Sequence, residues 1–599
     1  MTPAHEHALT SLHRLLMADY DSKGHWTGRL SGSALASALA VRALAEVDRH
    51  AHAAPIVRGL DWVATHANPD GGWGDSPESP SNLTATVLCW AVFSLADTNN
   101  AAHTLAIQRA EQWLSRQLGD LRPESLRAGI LARYGNDRTF AAPILTLCTL
   151  CGRMGPPETA WRLTPQLPCE LALLPHWLYR WLKLTVVSYA LPALIAIGLA
   201  RHRCARDEAW WLRLLRKAAT PRLLDIARRM QPVHGGYEEA TPLTAFVTVS
   251  LAAAGFREDP IVTRGVQFLL QSMRDDGSWP IDTNLATWVT TLSVNTLTET
   301  DRADLTLGTA QRGAIRDWLL RQQHREVHPL TRGTPGGWAW TDLPGGMPDA
   351  DDTPGALIAL RRLGAIDPPA IRAASQGIDW LLSLQNSDGG IPTFSRGWGK
   401  LPFDRSCPDI SAHTLQSFAE WLPDLSPSQR RRMRRAMGRI IRYLKATQRR
   451  DGSWVLLWFG SQFTRDEGNP VIGTARVCMA LRAAEEQGIE SAIPLMTAGL
   501  AWLERAQNDD GGWGAERGVA SSFEETGLAV AALSDGGHRE AIAGGANWIA
   551  ENLPQDALPA STPVGLYFAK LWYSERLYPV IFALQGLIRA ARSGNGRSD

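Results

Sequence analysis

The chain has 599 residues, and its 61 basic and 60 acidic side chains leave a formal net charge of only +1. That length supports more than one hydrophobic core, and the near-zero charge removes the electrostatic argument for a nucleic-acid or polyanionic partner. Tryptophan is the compositional exception, at 24 residues against 9 Tyr and 13 Phe; it is the ring with the strongest cation–π attraction, although burial alone accounts for most aromatic side chains in any protein.

In chain order, Met1 to Leu16 carries no apolar run of the signal-peptide kind, and the seven cysteines follow no secreted-domain spacing. A reducing, cytoplasmic setting is therefore expected. Ser33 to Leu44 is Ala- and Leu-rich with apolar residues at helical spacing. Cys148 and Cys151 form a CxxC inside the apolar run Pro143 to Cys151 with no second pair at zinc spacing, which reads as buried helix thiols. Leu184 to Ala200 is largely apolar, but it is short for a membrane span and contains Pro192, so a buried helix is expected. Residues 205–217 include Trp210, Trp211, Leu212, Leu214 and Leu215 beside Arg213, Arg216 and Lys217, a composition suited either to a helix lying in the headgroup region of a membrane or to a solvated amphipathic helix.

A repeat runs through the whole chain. Trp502-Leu503, Gln507 and Gly511-Gly512-Trp513 are matched in register by Tyr443-Leu444, Gln448 and Gly452-Ser453-Trp454, and by Trp380-Leu381, Gln385 and Gly389-Gly390-Ile391. Degenerate copies occur at Trp62 to Trp73 and Phe268 to Trp279, and half-copies at Trp113 and Trp318. Copies spaced roughly 50 to 60 residues apart leave room for two helices and their loops. In each, a helix ends near the Gln, the Asp-Gly or Gly-Gly step permits positive φ, and the following Trp folds back. Strand signals are scarce, so the fold class is all-α, with paired helices arranged as barrels.

Pro348-Asp349-Ala350-Asp351-Asp352-Thr353-Pro354 sets three carboxylates within four residues at the start of an apolar helix. One reading is local: Thr353 as N-cap, Pro354 at the first helical position, and acids at the positive end of the helix dipole. The other is chemical, because crowding and burial raise the pKa of a carboxyl and keep it protonated at neutral pH. Spacing alone leaves both open. His413, within the apolar Asp409-Ile-Ser-Ala-His413-Thr-Leu, reads by itself as a core histidine.

The repeat resembles the QW motif of the squalene-hopene and oxidosqualene cyclases along nearly the whole chain, and Asp349-Ala-Asp351-Asp352 resembles the DxDD motif of class II cyclases that protonate an unoxidised alkene. The resemblance implies two α/α barrels of helical hairpins, one (30–284) inserted into the other (1–29 and 285–599), with a central apolar cavity. It implies that Asp351 is the proton donor, supported by Asp349 and Asp352, with His413 hydrogen-bonded to it. It further implies that Trp181, Trp288, Trp340, Phe394, Trp454 and Tyr567 face the cationic intermediates, with no metal and no cofactor. Squalene is the implied substrate, met at the cytoplasmic side of a membrane through residues 205–217. The chain departs from the family pattern at Pro563, where a Phe is usual, and between Trp458 and Gly473, which contains extra residues. A class II cyclase of a shorter or modified prenyl chain and a non-catalytic α/α-barrel interaction protein are the alternatives, and the sequence leaves monomer and homodimer both open.

Overall fold

The computed structural model describes the chain apart from residues 1, 98, 136–137, 176, 179–180, 182–190, 206, 330, 365, 395–403, 535, 556, 567–570 and 596–599. Among the described residues nearly every regular element is a helix; the sheet is one antiparallel ribbon, Val564–Leu566 against Leu571–Tyr573, with Val564 opposite Tyr573. The chain divides into two compact units: Met1–Arg29 with Asn284–Asp342 and Gly346–Asp599, and Leu30–Thr283 with Leu343–Gly345.

In the first unit, six helices form a closed inner ring, each packed on the next: Ala286–Leu297, Asp352–Arg362, Pro408–Trp421, Pro470–Glu486, Phe523–Leu533 and Tyr578–Asn595, which returns to Ala286–Leu297. Helices with one apolar stripe surround them. Pro368–Leu384 and Pro427–Thr447 pack on the ring, as does the helix Pro3–Ala18, which lies on Tyr578–Asn595 and Arg539–Asn552. This is an α/α barrel. The inner helices are buried almost all round; Phe523–Leu533, for example, has every residue buried, as a helix enclosed by a second layer must be.

The second unit repeats the scheme with five inner helices, Ala34–Asp48, Leu83–Val92, Arg138–Leu150, Leu191–Cys204 and Thr241–Ala253, again closing on the first. The apolar run read from Leu184 contributes the buried helix Leu191–Cys204 from its second half; its first residues lie outside the described set. Cys148 is fully buried in Arg138–Leu150, and burial pushes its thiol well up, which makes it unreactive.

The repeat has one geometry throughout. The indole N–H of Trp73, Trp279, Trp454 and Trp513 donates to the carbonyl ten residues earlier, that of Val63, Leu269, Leu444 and Leu503, at 2.6–2.9 Å. Each repeat Gln amide donates twice. Gln385 Nε2 reaches Gly389 O at 2.8 Å and Ala436 O at 3.0 Å, and Gln448 Nε2 reaches Gly452 O and Leu495 O, both at 3.0 Å, so one side chain fastens its own turn to the next outer helix. Gly389 stands at φ 96°, and a Cβ there would lie 2.6 Å from Arg439 O, so both the turn and the close approach require glycine. The structure adds a copy that the sequence pattern misses: Gln231 donates to Gly235 O and Ile261 O, and Tyr237, standing where Trp is usual, donates its hydroxyl to Ala227 O at 2.8 Å.

Candidate active site

The inner helix Asp352–Arg362 is capped by Asp349, not by Thr353. Asp349 Oδ1 accepts the N–H of Asp351 and of Asp352, each at 2.8 Å, satisfying donors that a helix N-terminus leaves free. Thr353 serves the repeat instead, accepting the N–H of Trp338 at 2.9 Å. Capping and chemistry are therefore shared between neighbours: Asp349 shapes the turn, and Asp351 is left to project from it.

Asp351 Oδ1 lies 2.6 Å from His413 Nδ1 on Pro408–Trp421. Gly355 sits beside the pair, where a Cβ would crowd Thr291 Oγ1 at 2.9 Å and lie 3.4 Å from His413 Cε1. At that separation one proton joins the pair, carried by the imidazole when Asp351 is ionised and by Asp351 when it is not. Arg476, on Pro470–Glu486, completes the group, with Nη2 2.9 Å from Asp351 Oδ1 and Nη1 3.4 Å from Oδ2. Nη1 also stands 3.7 Å from Asp409 Oδ2, a fully buried carboxylate bonded to the Cys407 thiol.

The charges sort differently from the expectation that crowding would keep Asp351 protonated. Burial acts to raise Asp351, but Arg476 and then His413 outweigh it and hold the carboxyl at about 2. Burial lifts Asp349 to about 7, against the N–H bonds it accepts, and lifts Asp352 well above the ordinary carboxylate range, with the charge of Asp349 adding to the effect. Burial raises Asp409 to about 6 while Arg476 opposes the rise, and it lowers His413 while Asp351 pulls the other way. Asp352 is thus the flanking carboxyl that favours its protonated form most strongly, while Asp349 titrates near neutral pH. The arrangement is a carboxyl cluster with one imidazole and one fixed cation.

Aromatic rings adjoin it. Trp288 stands edge-on to His413 with ring centres 6.1 Å apart and donates its N–H to Tyr578 OH at 2.9 Å. Phe459 lies 6.0 Å from Trp288 and 5.9 Å from Tyr578. Trp340, Phe394 and Trp458 form a second run with successive ring centres 6.3 Å apart, and Trp458 donates to Thr393 Oγ1. His413 and Arg476 also line a cavity of about 70 Å³ together with Asn295, Gln416 and Arg362.

Of the residues singled out from sequence, Asp349, Asp351, Asp352, His413 and Trp288 come together, and Trp340 pairs with Phe394. Trp454 does not join them. Its indole bonds Leu444 O as the other repeat tryptophans bond theirs, so it is barrel wall, and Trp458 is the ring that meets Phe394. Trp181 belongs to the second unit and is 73 % exposed, which does not fit a side chain lining an enclosed cavity. Tyr567 lies outside the described residues. Sequence reasoning missed Arg476, Asp409, Phe459 and Tyr578. Asp409 and Tyr578 stood within recognised stretches, and Phe459 lies in the extra segment before Gly473; Arg476 carried no local signal.

Comparison with known proteins gives a consistent result. Residues 2–122 and 285–537 match the family model described as the squalene-hopene cyclase C-terminal domain. A squalene-hopene cyclase of Bradyrhizobium diazoefficiens is 24% identical over 587 residues, covering 85% of this chain and 81% of that one. A drimenyl diphosphate synthase of Streptantibioticus cattleyicolor is 29% identical over 307 residues, 49% of this chain and 52% of its own. Among solved structures, the ent-copalyl diphosphate synthase of Streptomyces platensis shares the fold, with TM-score 0.59 at 20% identity over 98% of this chain and 100% of that one.

Proposed function

The chain belongs to the squalene-hopene cyclase family and is a terpene cyclase, an isomerase in reaction type; on that premise we propose that Asp351 protonates the terminal alkene of squalene and starts a cationic polycyclisation. The observation that carries this reading is the 2.6 Å contact between Asp351 and His413, buried beside Asp352, whose carboxyl burial pushes well above the ordinary carboxylate range. An isolated alkene is a very weak base, so its protonation needs a strong acid in a dry, preorganised site. The alkene π pair takes the proton from an Asp351 oxygen, and the tertiary cation that forms is stabilised by ring faces, which are neither nucleophiles nor bases. Trp288, Trp340, Phe394 and Trp458 supply such faces. The proton added at the alkene is balanced when the last cation loses a proton to a base or captures water and releases one of its protons, and no cofactor is needed.

Squalene-sized hydrocarbons dissolve in membranes, and the helix Trp210–Met230 exposes Trp210, Trp211, Leu214 and Leu215 by 49–75 %. No helix among the described residues is long and apolar enough to cross a bilayer. We assign to this helix a peripheral, monotopic contact with the membrane surface. A second reading, a shorter prenyl diphosphate as substrate, is favoured by the similarity to the drimenyl diphosphate synthase.

The deciding experiment incubates the purified enzyme in detergent with squalene, oxidosqualene, and farnesyl and geranylgeranyl diphosphates, and identifies products by mass spectrometry. Cyclised squalene is expected, and Asp351→Asn should lower turnover by more than about 10²-fold, the range of general-acid contributions. Wild-type rates in Asp351→Asn would end the acid assignment.

A further inference from the structure

Arg476 is the one member of the acid cluster that neither the sequence motifs nor the protonation step explains. A permanent cation in contact with a proton donor disfavours loading the donor with a proton. The guanidinium meets both oxygens of Asp351, at 2.9 and 3.4 Å, while its other side stands 3.7 Å from Asp409. It also lies over two ring faces, 5.5 Å from the centre of Trp288 and 5.2 Å from that of Phe459. Two carboxyls and two aromatic faces fix its position, so it has little freedom to move away while Asp351 works.

The strength of an acid is the stability of its conjugate base. When an Asp351 oxygen gives its proton to an alkene carbon, the O–H bond breaks, a C–H bond forms from the π pair, and a carboxylate remains facing a carbocation in a poorly solvated site. A guanidinium already seated on both oxygens stabilises that carboxylate without reorganising. The cost is that the same cation makes Asp351 harder to load with a proton. Asp352, one residue away, is raised well above the ordinary carboxylate range, and Asp349, two residues away, titrates near neutral pH, so protonatable carboxyls lie within the cluster.

Resting on the assignment of Asp351 as donor, we propose that Arg476 is a positioning residue that makes Asp351 a stronger acid and so sets the pH range in which the enzyme turns over. The other groups around Asp351 are Asp349 and Asp352 on its own segment, and His413 and Asp409, with the Cys407 thiol, from Pro408–Trp421 and the residue before it. Across the small cavity stand Arg362, Glu299 and Arg589, which pair with one another. Glu524 and Glu525 of the adjoining Phe523–Leu533 helix are held by Thr562, Asn469 and Ser522. Arg476 is therefore the one of these groups that pairs its positive charge directly with Asp351.

The test is the pH profile of kcat and KM for wild type, Arg476→Lys, Arg476→Met and Asp351→Asn, with squalene in detergent micelles, or with geranylgeranyl diphosphate if squalene is not turned over. Removing a charge in direct contact should move the alkaline limb of kcat upward by about one pH unit or more. The low-pH plateau should fall about tenfold or more, because the donor is weaker. KM should stay within about twofold, and Arg476→Lys should recover most of the plateau. A loss equal at every pH with an unmoved limb, or an unchanged plateau, overturns the proposal. If Arg476→Met does not fold, the profile of Arg476→Lys alone decides, since a shorter cation at greater distance must move the limb in the same direction. Turnover of neither substrate by wild type, or full activity in Asp351→Asn, would instead defeat the donor assignment itself.

Discussion

Replacing Trp454 by Phe separates the barrel from the site. The indole is fully buried and donates to Leu444 O at 2.9 Å. Phenylalanine keeps a ring but removes the indole hydrogen bond, while Leu444 O still accepts the Gln448 N–H, so the cost is about 0.5–1.5 kcal/mol for the bond and about 1 kcal/mol more for the void. The sum is about 1.5–2.5 kcal/mol. Trp513 donates to Leu503 O at 2.8 Å in the same position of its own repeat, so Trp513→Phe is the internal control and should cost the same. Because a chain of this size unfolds irreversibly, the assay is the half-life of activity on heating, with Tm alongside, for both variants. Both should inactivate faster by similar factors while giving the wild-type product spectrum. A changed product mixture from Trp454→Phe at unchanged thermal half-life would place Trp454 in the catalytic cavity and refute the reasoning.

Three further outcomes follow from the inner rings. Glu299 accepts from Arg589 and Arg362, which outweigh burial and hold it at about 2; because its folded pKa lies below its unfolded value, its stabilisation of about 3 kcal/mol is present above pH ~4.5 and lost as pH falls towards 2. Glu299→Gln should flatten that acid limb in unfolding measurements between pH 2 and 5. Glu575 behaves in the opposite sense, raised by burial to about 8: the folded state keeps a proton that the unfolded chain gives up, so stability declines from pH ~4.5 to 8, and Glu575→Gln should reduce the decline in the same titration. Gly527 packs so closely on Tyr578–Asn595 that a Cβ would lie 2.2 Å from Phe582 O; Gly527→Ala should destabilise by about 2 kcal/mol or more, read as a fall in Tm.

The repeats and the acid motif were legible because both write a local constraint into the sequence. A Gln at a helix end, a positive-φ glycine and a returning Trp recur in register, and three acids precede an apolar helix. The cavity role of Trp454 came from the family resemblance; its place in the repeat has the ring folding back, and its indole bonds Leu444 O as the other repeat tryptophans bond theirs. Thr353 looked like a cap because the residue one turn before the helix was not credited; Asp349 reaches both amides from outside it. The order of the proton affinities could not be read at all. It depends on Arg476, one of many arginines in helical stretches, whose meaning arises only when Pro470–Glu486 packs against Pro408–Trp421 and brings it to Asp351, 125 residues away.

In the first unit the helix Pro3–Ala18 packs on the ring beside Arg539–Asn552 and Tyr578–Asn595. His5 Nε2 meets Asn547 Oδ1 at 2.8 Å across 542 residues of sequence, and Arg576 pairs with Asp19. These contacts span 542 and 557 residues, and the entropy of closing so long a loop opposes their formation. Leu9, Leu12 and Leu16 of Pro3–Ala18 are fully buried in the folded unit, so a chain in which this seam has opened exposes three leucines to water.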